Sequence, residues 1–464
     1  MKTGKCSSKR LQIFFSPLLI ILLLSGCTSP VANNPTNAAP SSSAKTQTEN
    51  AEVATKISWL KSNALELHSI SPTDENYSDL QPLKQIIGGR QIVMLGEESH
   101  GDGNTFQAKI RLIKFLHQEM GFDVLAFESG FYDCHKAQEL IQAGQDVNLA
   151  FKQSIFPIWS ESSQVQPLVD YIELTQKSKQ PLILAGVDNQ FTGEISHTYL
   201  LNDLTALLKQ HPEIALENQE QNNFFEQTKR LIAGAPAPSS DELQRYLNAI
   251  EKLKQNLGKA IQQNDIEAAF WIQFLENLNT QAKFTFYVEP ATSEYLHAHP
   301  ELYSLRDIQM GENLVWLANK KYPNKKIIVW AATYHIARNL ASVPAENEEI
   351  QFQHKNITTM GDIVWKALGN QIYSLGFTAY DGSFGSIYET AKKLNPPNEN
   401  SFEDMMYKAN LNYAIVDFRN PAFGGEWLQK EMGSRPLGYQ QETTNWSGIL
   451  DGMMFIKEMI PSTR

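Results

Sequence analysis

The segment Gly96-Glu97-Glu98-Ser99-His100-Gly101 sets an imidazole three residues after a carboxylate, between glycines. Three further segments end in groups of the same kind. They are Ala126-Phe127-Glu128, Leu184-Ala185-Gly186-Val187-Asp188 and Trp330-Ala331-Ala332-Thr333-Tyr334-His335. An imidazole beside a carboxylate can take a proton from water near neutral pH, as attack on a carbonyl requires. Glu97 and Glu128 fit the acids that orient or charge-stabilise such a ring. The glycines allow a tight backbone and close approach of a ligand. The outline is a hydrolytic site without a Ser or Cys nucleophile. No Gly-x-Ser-x-Gly elbow occurs. Cys134 stands beside His135, but adjacent residues on a helix point apart, so it reads as a buried structural thiol.

Glu97, His100, Glu128 and His335 also have the side chains of a zinc site. A metal-dependent hydrolase at this site is the first alternative. Against it, the chain has no His-Glu-x-x-His and no Cys cluster, and His297 and His299 lie in an irregular Ala/Pro stretch that reads as solvated. The first strand is not followed by a Gly-rich phosphate loop or a dinucleotide fingerprint; Gly-Glu-Glu is acidic where phosphate needs donors. The expectation is catalysis with neither metal nor cofactor.

Each candidate group stands at or just past the end of a short apolar run. Strands are expected at 91–95, 124–128, 182–187, 327–331, 372–377 and 413–417. Most are continuous Val/Ile/Leu runs, the mark of strands covered on both faces. Phe106, Ile110, Ile113 and Leu116 recur at helical spacing, and Met120-Gly121 stops that helix. Strand alternating with helix predicts an α/β fold: a mostly parallel sheet covered by helices on both faces. Ligands bind such sheets at the carboxyl ends of the strands, where the acids and imidazoles cluster. Residues 201–286 lack strand runs. There Leu243, Leu247, Ile250, Leu253, Leu257 and Ile261 form one apolar stripe. This stretch is expected to be an all-helical insertion packed over the ligand edge.

Lys2, Lys5, Lys9 and Arg10 precede an apolar run over 11–24 that ends in Leu24-Ser25-Gly26-Cys27. The run is short for a membrane span and has the plan of a secretory leader. Small residues before Cys27 predict a lipoprotein signal over 1–26, with Cys27 lipidated. Residues 27–50, rich in Ser, Thr, Asn, Pro and Ala, are expected to be a disordered tether to a domain over 51–464. The address is the cell envelope, and Thr28 in place of Asp favours the outer membrane if the envelope is Gram-negative. The chain carries a formal charge of -11, and loss of the basic leader makes it more acidic. Nucleic acid is therefore an unsuitable partner, and membrane contact falls to the lipid. Of the three cysteines, Cys134 alone remains after Cys6 and Cys27, so no intramolecular disulfide can form.

The motifs together resemble the erythromycin esterase family. The match comprises Gly96-Glu97-x-x-His100-Gly101, Phe106-x-x-Lys109-x-Arg111-Leu112, Gly121-Phe122, Phe127-Glu128 and Arg306-Asp307-x-x-Met310-x-x-Asn313. Met360-Gly361, Leu368-Gly369, Gly376-Phe377-Thr378 and Gly382-Ser383-Phe384 match later blocks in order. The resemblance implies an ester hydrolase, exemplified by enzymes that open the macrolide lactone ring and confer antibiotic resistance. It implies His100 as the base that activates water directly, with Glu97 and Glu128 orienting or polarising it. By the same match Lys109 would hold a substrate oxygen or an acidic partner, and His335 would be the second imidazole of the family's His-Asn-x-His. Here the first His and the Asn of that motif are Ala332 and Thr333. That departure keeps open a second alternative, a non-catalytic envelope lipoprotein that binds a ligand in the same cleft. The expected substrate is a small-molecule ester or lactone, and Asp188 is expected to support the site or cap its loop.

If Cys27 is lipidated, the full-length chain expressed in a bacterium enters the detergent phase on Triton X-114 partition, and Cys27→Ala stays in the aqueous phase. Equal partition of the two chains would contradict the expected anchor.

Overall fold

The computed structural model describes residues 42–464 except 261–264. The leader, Cys27 and the tether up to residue 41 lie outside the described residues, as does Ile261 of the apolar stripe. The described chain opens with the helix Ser42–Asn63, which takes up the last part of the stretch expected as tether. Val53, Ile57 and Leu60 on this helix pack against the core, which explains order beginning before residue 51. Among the described residues no helix is long and apolar enough to cross a membrane.

The strands are β1 (Leu65–Glu66), β2 (Ile92–Leu95), β3 (Phe122–Gly130), β4 (Ile183–Asp188), β5 (Lys326–Trp330), β6 (Ile372–Phe384), β7 (Lys392–Lys393), β8 (Tyr413–Asp417), β9 (Met432–Ser434), β10 (Glu442–Thr444) and β11 (Gly452–Met459). The main sheet runs β1-β8-β11-β6-β2-β5-β3-β4, with β7 paired to β6. From β11 to β4 every pairing is parallel; β8 is antiparallel to β11 and to β1. This is the expected α/β sheet. The one large strand missing from the sequence reading is β11, whose Gly-Met-Met-Phe-Ile run lies between β6 and β8.

The order of the strands assembles the site. The chain leaves β2 through the helix Gly103–Met120 and re-enters the sheet as β3, leaving a gap that β5 later fills. Leu95 pairs with Trp330, and Trp330 with Phe127, so the carboxyl ends of β2, β5 and β3 stand side by side. β4 extends the row, with Phe127 beside Gly186. A register shift in β3 between Phe127 and Gly130 bends the strand where it carries Glu128. Packed rings floor this edge: Phe127 stacks on Trp330 at 5.3 Å, and Phe106 meets Trp330 at a tilt at 5.6 Å between centroids. The helix Gly103–Met120 ends at Gly121, whose φ of 69° supplies the left-handed cap.

Between β4 and β5 the chain forms the helices Glu194–Gln210, Asn218–Ile232, Ser240–Ala260 and Ile266–Lys283, with no strand among the described residues. Leu243, Leu247, Ile250, Leu253 and Leu257 are buried. Phe270 stacks on Phe131 at 5.3 Å, which joins this helical layer to the helix Phe131–Gln142 after β3.

Gly101 serves packing between chain segments rather than approach of a ligand. Its carbonyl accepts the Ser462 N–H at 2.9 Å and the Gly385 N–H at 3.2 Å. A Cβ there would collide with the backbone of Gly385 and Ser386. Gly101→Ala is accordingly expected to cost about 1–3 kcal/mol, read from urea midpoints. An unchanged midpoint would contradict this packing role.

Candidate active site

The backbone of the first motif is fixed before its side chains act. Gly96 N–H donates to Leu375 O at 2.8 Å, and Thr333 N–H donates to Glu97 O at 2.8 Å. The turns after β2 and β5 are thereby tied together. Glu97 is fully buried and meets three donors. Its Oε1 accepts from His100 Nδ1 at 2.8 Å and from Trp159 Nε1 at 2.9 Å, and its Oε2 accepts from Lys109 Nζ at 2.7 Å. A carboxylate can only accept, so in the neutral form of His100 the proton sits on Nδ1 and Nε2 keeps the free lone pair. Trp159 packs edge-on against the imidazole at 5.1 Å, which fixes the ring plane. His100 keeps 16% of its side-chain surface exposed, whereas Glu97 and Lys109 keep none.

Lys109 therefore holds an acidic partner, one of the two roles the resemblance implies for it. Its Nζ also donates to Ala331 O at 3.2 Å and stands 4.5 Å from the centre of the Trp330 ring. Burial draws its ammonium below the usual range, and the charge and hydrogen bond of Glu97 oppose that shift.

A second charged group faces His100. Glu128 Oε1 lies 4.0 Å from His100 Nε2, too far for a hydrogen bond. Glu128 accepts instead from Arg306 Nη2 at 2.9 Å, His335 Nε2 at 3.1 Å and the Ala332 N–H at 2.9 Å. Glu97, and not Glu128, is the acid that hydrogen-bonds and orients the His100 ring. Arg306 also forks onto Asp188, with Nη2 2.6 Å from Oδ2. Asp188 further accepts the Gln190 N–H at 3.1 Å, so it both supports the site and caps its loop. His335 donates through Nδ1 to Asp307 at 2.7 Å. Burial alone would lower its pKa, but Asp307 and then Glu128 raise it to about 10. Its two acidic partners thus favour the charged form of the His335 ring. Burial would raise Glu128; the charge and hydrogen bond of His335, then His100 and Arg306, override it and hold the carboxylate well below its usual range.

The carboxylates Glu97, Glu128, Asp188 and Asp307 thus surround the cations Lys109, Arg306 and His335. A proton gained by His100 is matched by the carboxylate in excess. Arg306, Asp307 and Trp159 were not singled out from sequence as site residues. Arg306 and Asp307 stand in a quoted motif, but Trp159 follows Ile155-Phe156-Pro157-Ile158, which carries no chemical signal. Within the loop, burial raises Glu98 to about 7, and burial together with the charge of Glu98 raises Asp102 well above its usual value. Cys134 is buried and its thiol pKa raised by that burial. His297 and His299 are exposed and pair with Glu349 and Glu301.

Comparison with known proteins places this arrangement. The family model described as Erythromycin esterase matches residues 117–459, which include Glu128, Asp188, Arg306 and His335. The chain is 29% identical over 430 residues to "Putative hydrolase YbfO" of Bacillus subtilis (strain 168), covering 87% of this chain and 91% of that protein. It is 23% identical over 392 residues to "Erythromycin esterase type II" of Escherichia coli, covering 78% and 88%. The crystal structure of a Bacillus cereus protein superposes with a TM-score of 0.72 at 19% identity, covering 89% of this chain and 98% of that one. The last comparison concerns the fold alone.

The raised pKa of His335 makes a signed prediction. Its contribution to stability is complete below its unfolded value of 6.5 and is lost as pH rises through about 10. Melting temperatures of the wild type should fall across that window, and those of His335→Gln should fall less. Parallel profiles would contradict a charged His335.

Proposed function

The chain belongs to the erythromycin esterase family and is a hydrolase; from that premise we propose that it cleaves a carboxylic ester or lactone with water activated by His100. One observation carries the reading. Glu97 fixes the proton on His100 Nδ1 at 2.8 Å, and the opposite nitrogen faces Glu128 Oε1 across 4.0 Å. A water set beside that pair, rather than between its atoms, would reach both at about 2.8 Å. His100 Nε2 takes a proton from this water as its oxygen attacks the carbonyl carbon. The imidazolium then returns the proton to the leaving alkoxide, and the products are an acid and an alcohol.

The carbonyl oxygen becomes negative during attack and needs a donor. Arg306 Nη1 makes no hydrogen bond to a carboxylate and lies 3.3 Å from His335 Nε2. This guanidinium edge is the cationic donor proposed for the oxyanion. It takes the part that the absent imidazole at Ala332 would otherwise serve. Glu128, ionised and triply bonded, holds Arg306 and His335 in place and does not act as an acid. The proposal includes the address: a lipid on Cys27 would hold the hydrolase at the cell envelope.

The test is a panel of macrolides, simple lactones and aryl esters, with products read by mass as addition of one water. His100→Ala should lose about 10²–10⁴ in kcat while chelators leave the wild-type rate unchanged. Wild-type turnover in the variant removes the mechanism. Loss of activity on chelation at an unchanged melting temperature, restored by zinc, would transfer the chemistry to a metal. Tight binding of a panel member that neither chain hydrolyses would favour a binding protein.

A further inference from the structure

A second group of chemistry-bearing side chains shares no residue with the candidate active site. His135 and Glu139 stand one turn apart on the helix Phe131–Gln142, and Glu267 reaches in from the helix Ile266–Lys283. One ligand atom from each lies within 4.8 Å of the others. They line a cavity of about 190 Å³ walled also by Tyr132, Phe270 and Trp271. His135 Nε2 is buried without a hydrogen-bond partner and lies 3.3 Å from Glu139 Oε1.

The surrounding groups fix these donors. Phe270 packs on the His135 ring at 3.7 Å between centroids, and the Lys321 ammonium contacts Nδ1, which leaves Nε2 for the cavity. Lys136 holds Glu139 Oε2 at 3.1 Å, which leaves Oε1. Trp271 Nε1 donates to Glu267 Oε1 at 3.0 Å, which leaves Oε2. Glu139, Asp203 and Glu267 outnumber Lys136 and Lys321 around the cavity, so a cation is the charge that it lacks.

We propose that His135, Glu139 and Glu267 form a binding site for a divalent metal of the zinc class, which staples the helical layer to the helix that follows β3. One imidazole with two carboxylates suits zinc and its first-row neighbours better than the hard ions magnesium and calcium. Donors on one tetrahedral zinc sit roughly 3.4 Å apart, from zinc–ligand distances of about 2.0–2.1 Å. A swing of Glu267, whose side chain is solvent-exposed, closes the set to that size. Water or Asp203 would complete the coordination. The metal holds structure and takes no part in the hydrolysis proposed for His100.

The experiment is titration of the chelator-treated full chain with Zn²⁺, followed by calorimetry and by melting temperature, with Mg²⁺ as control. Cobalt absorption between the visible bands reports the ligand field. One Zn²⁺ should bind per chain and raise the melting temperature, and Mg²⁺ should not. His135→Ala and Glu267→Gln should each weaken binding by at least about tenfold and abolish the rise. Glu267→Gln changes an exposed side chain, so it keeps the test valid if His135→Ala fails to fold. His100→Ala should bind zinc as the wild type does. Absence of stoichiometric binding, unchanged affinity in Glu267→Gln, or loss of the metal in His100→Ala would each overturn the proposal, and none of them bears on ester hydrolysis by wild type.

Discussion

One buried carboxylate organises this molecule's chemistry. Glu97 has no exposed side-chain surface, and His100, Trp159 and Lys109 saturate its oxygens at 2.7–2.9 Å. A bare carboxylate in that position would cost several kcal/mol in desolvation; three donors, one of them a buried ammonium, make it tolerable. The arrangement leaves His100 a single choice of tautomer. Trp159, edge-on to the ring, removes the remaining freedom of rotation. The direction in which His100 Nε2 points is thus set by buried neighbours of the ring.

The second centre works by the same economy of partners. Arg306 bridges Asp188 from β4 and Glu128 from β3, and His335 from beyond β5 is locked between Glu128 and Asp307. Each ion thus has at least one buried counter-ion, as interior charges require. The sheet makes this possible because β5 enters late between β2 and β3. Four strand ends converge, and the helix Leu305–Trp316 brings Arg306 and Asp307 to the same rim. The helical layer over that helix keeps them dry: Asn277 donates to Asn313 Oδ1 at 2.8 Å, and Asn313 donates to Val187 O at 2.7 Å.

Groups at strand ends were legible in the sequence because a strand announces itself by its apolar run. Glu97, His100, Glu128, Asp188 and His335 all sit where an Ile/Val/Leu-rich segment stops. Partner choice was not legible. That Glu97 rather than Glu128 takes His100 Nδ1 depends on the bend in β3, and Lys109 turns inward because its helix buries that face. Trp159 lies on the short helix Pro157–Ser160, whose apolar residues look like ordinary core. β11 escaped because its Met-rich run holds a single β-branched residue, Ile456, although it pairs on both sides. The glycines at 96 and 101 answer the tight backbone expected of them: they make room for Thr333 and for the Gly385 backbone.

The account stands or falls on the proton of His100. Nitrogen-15 spectra of the histidine-labelled chain, taken where the ring is neutral, report that proton directly. A protonated Nδ1 with a free lone pair on Nε2 is the predicted result, together with loss of that preference in Glu97→Gln. A neutral ring protonated on Nε2 would turn the base away from water and contradict the catalytic arrangement.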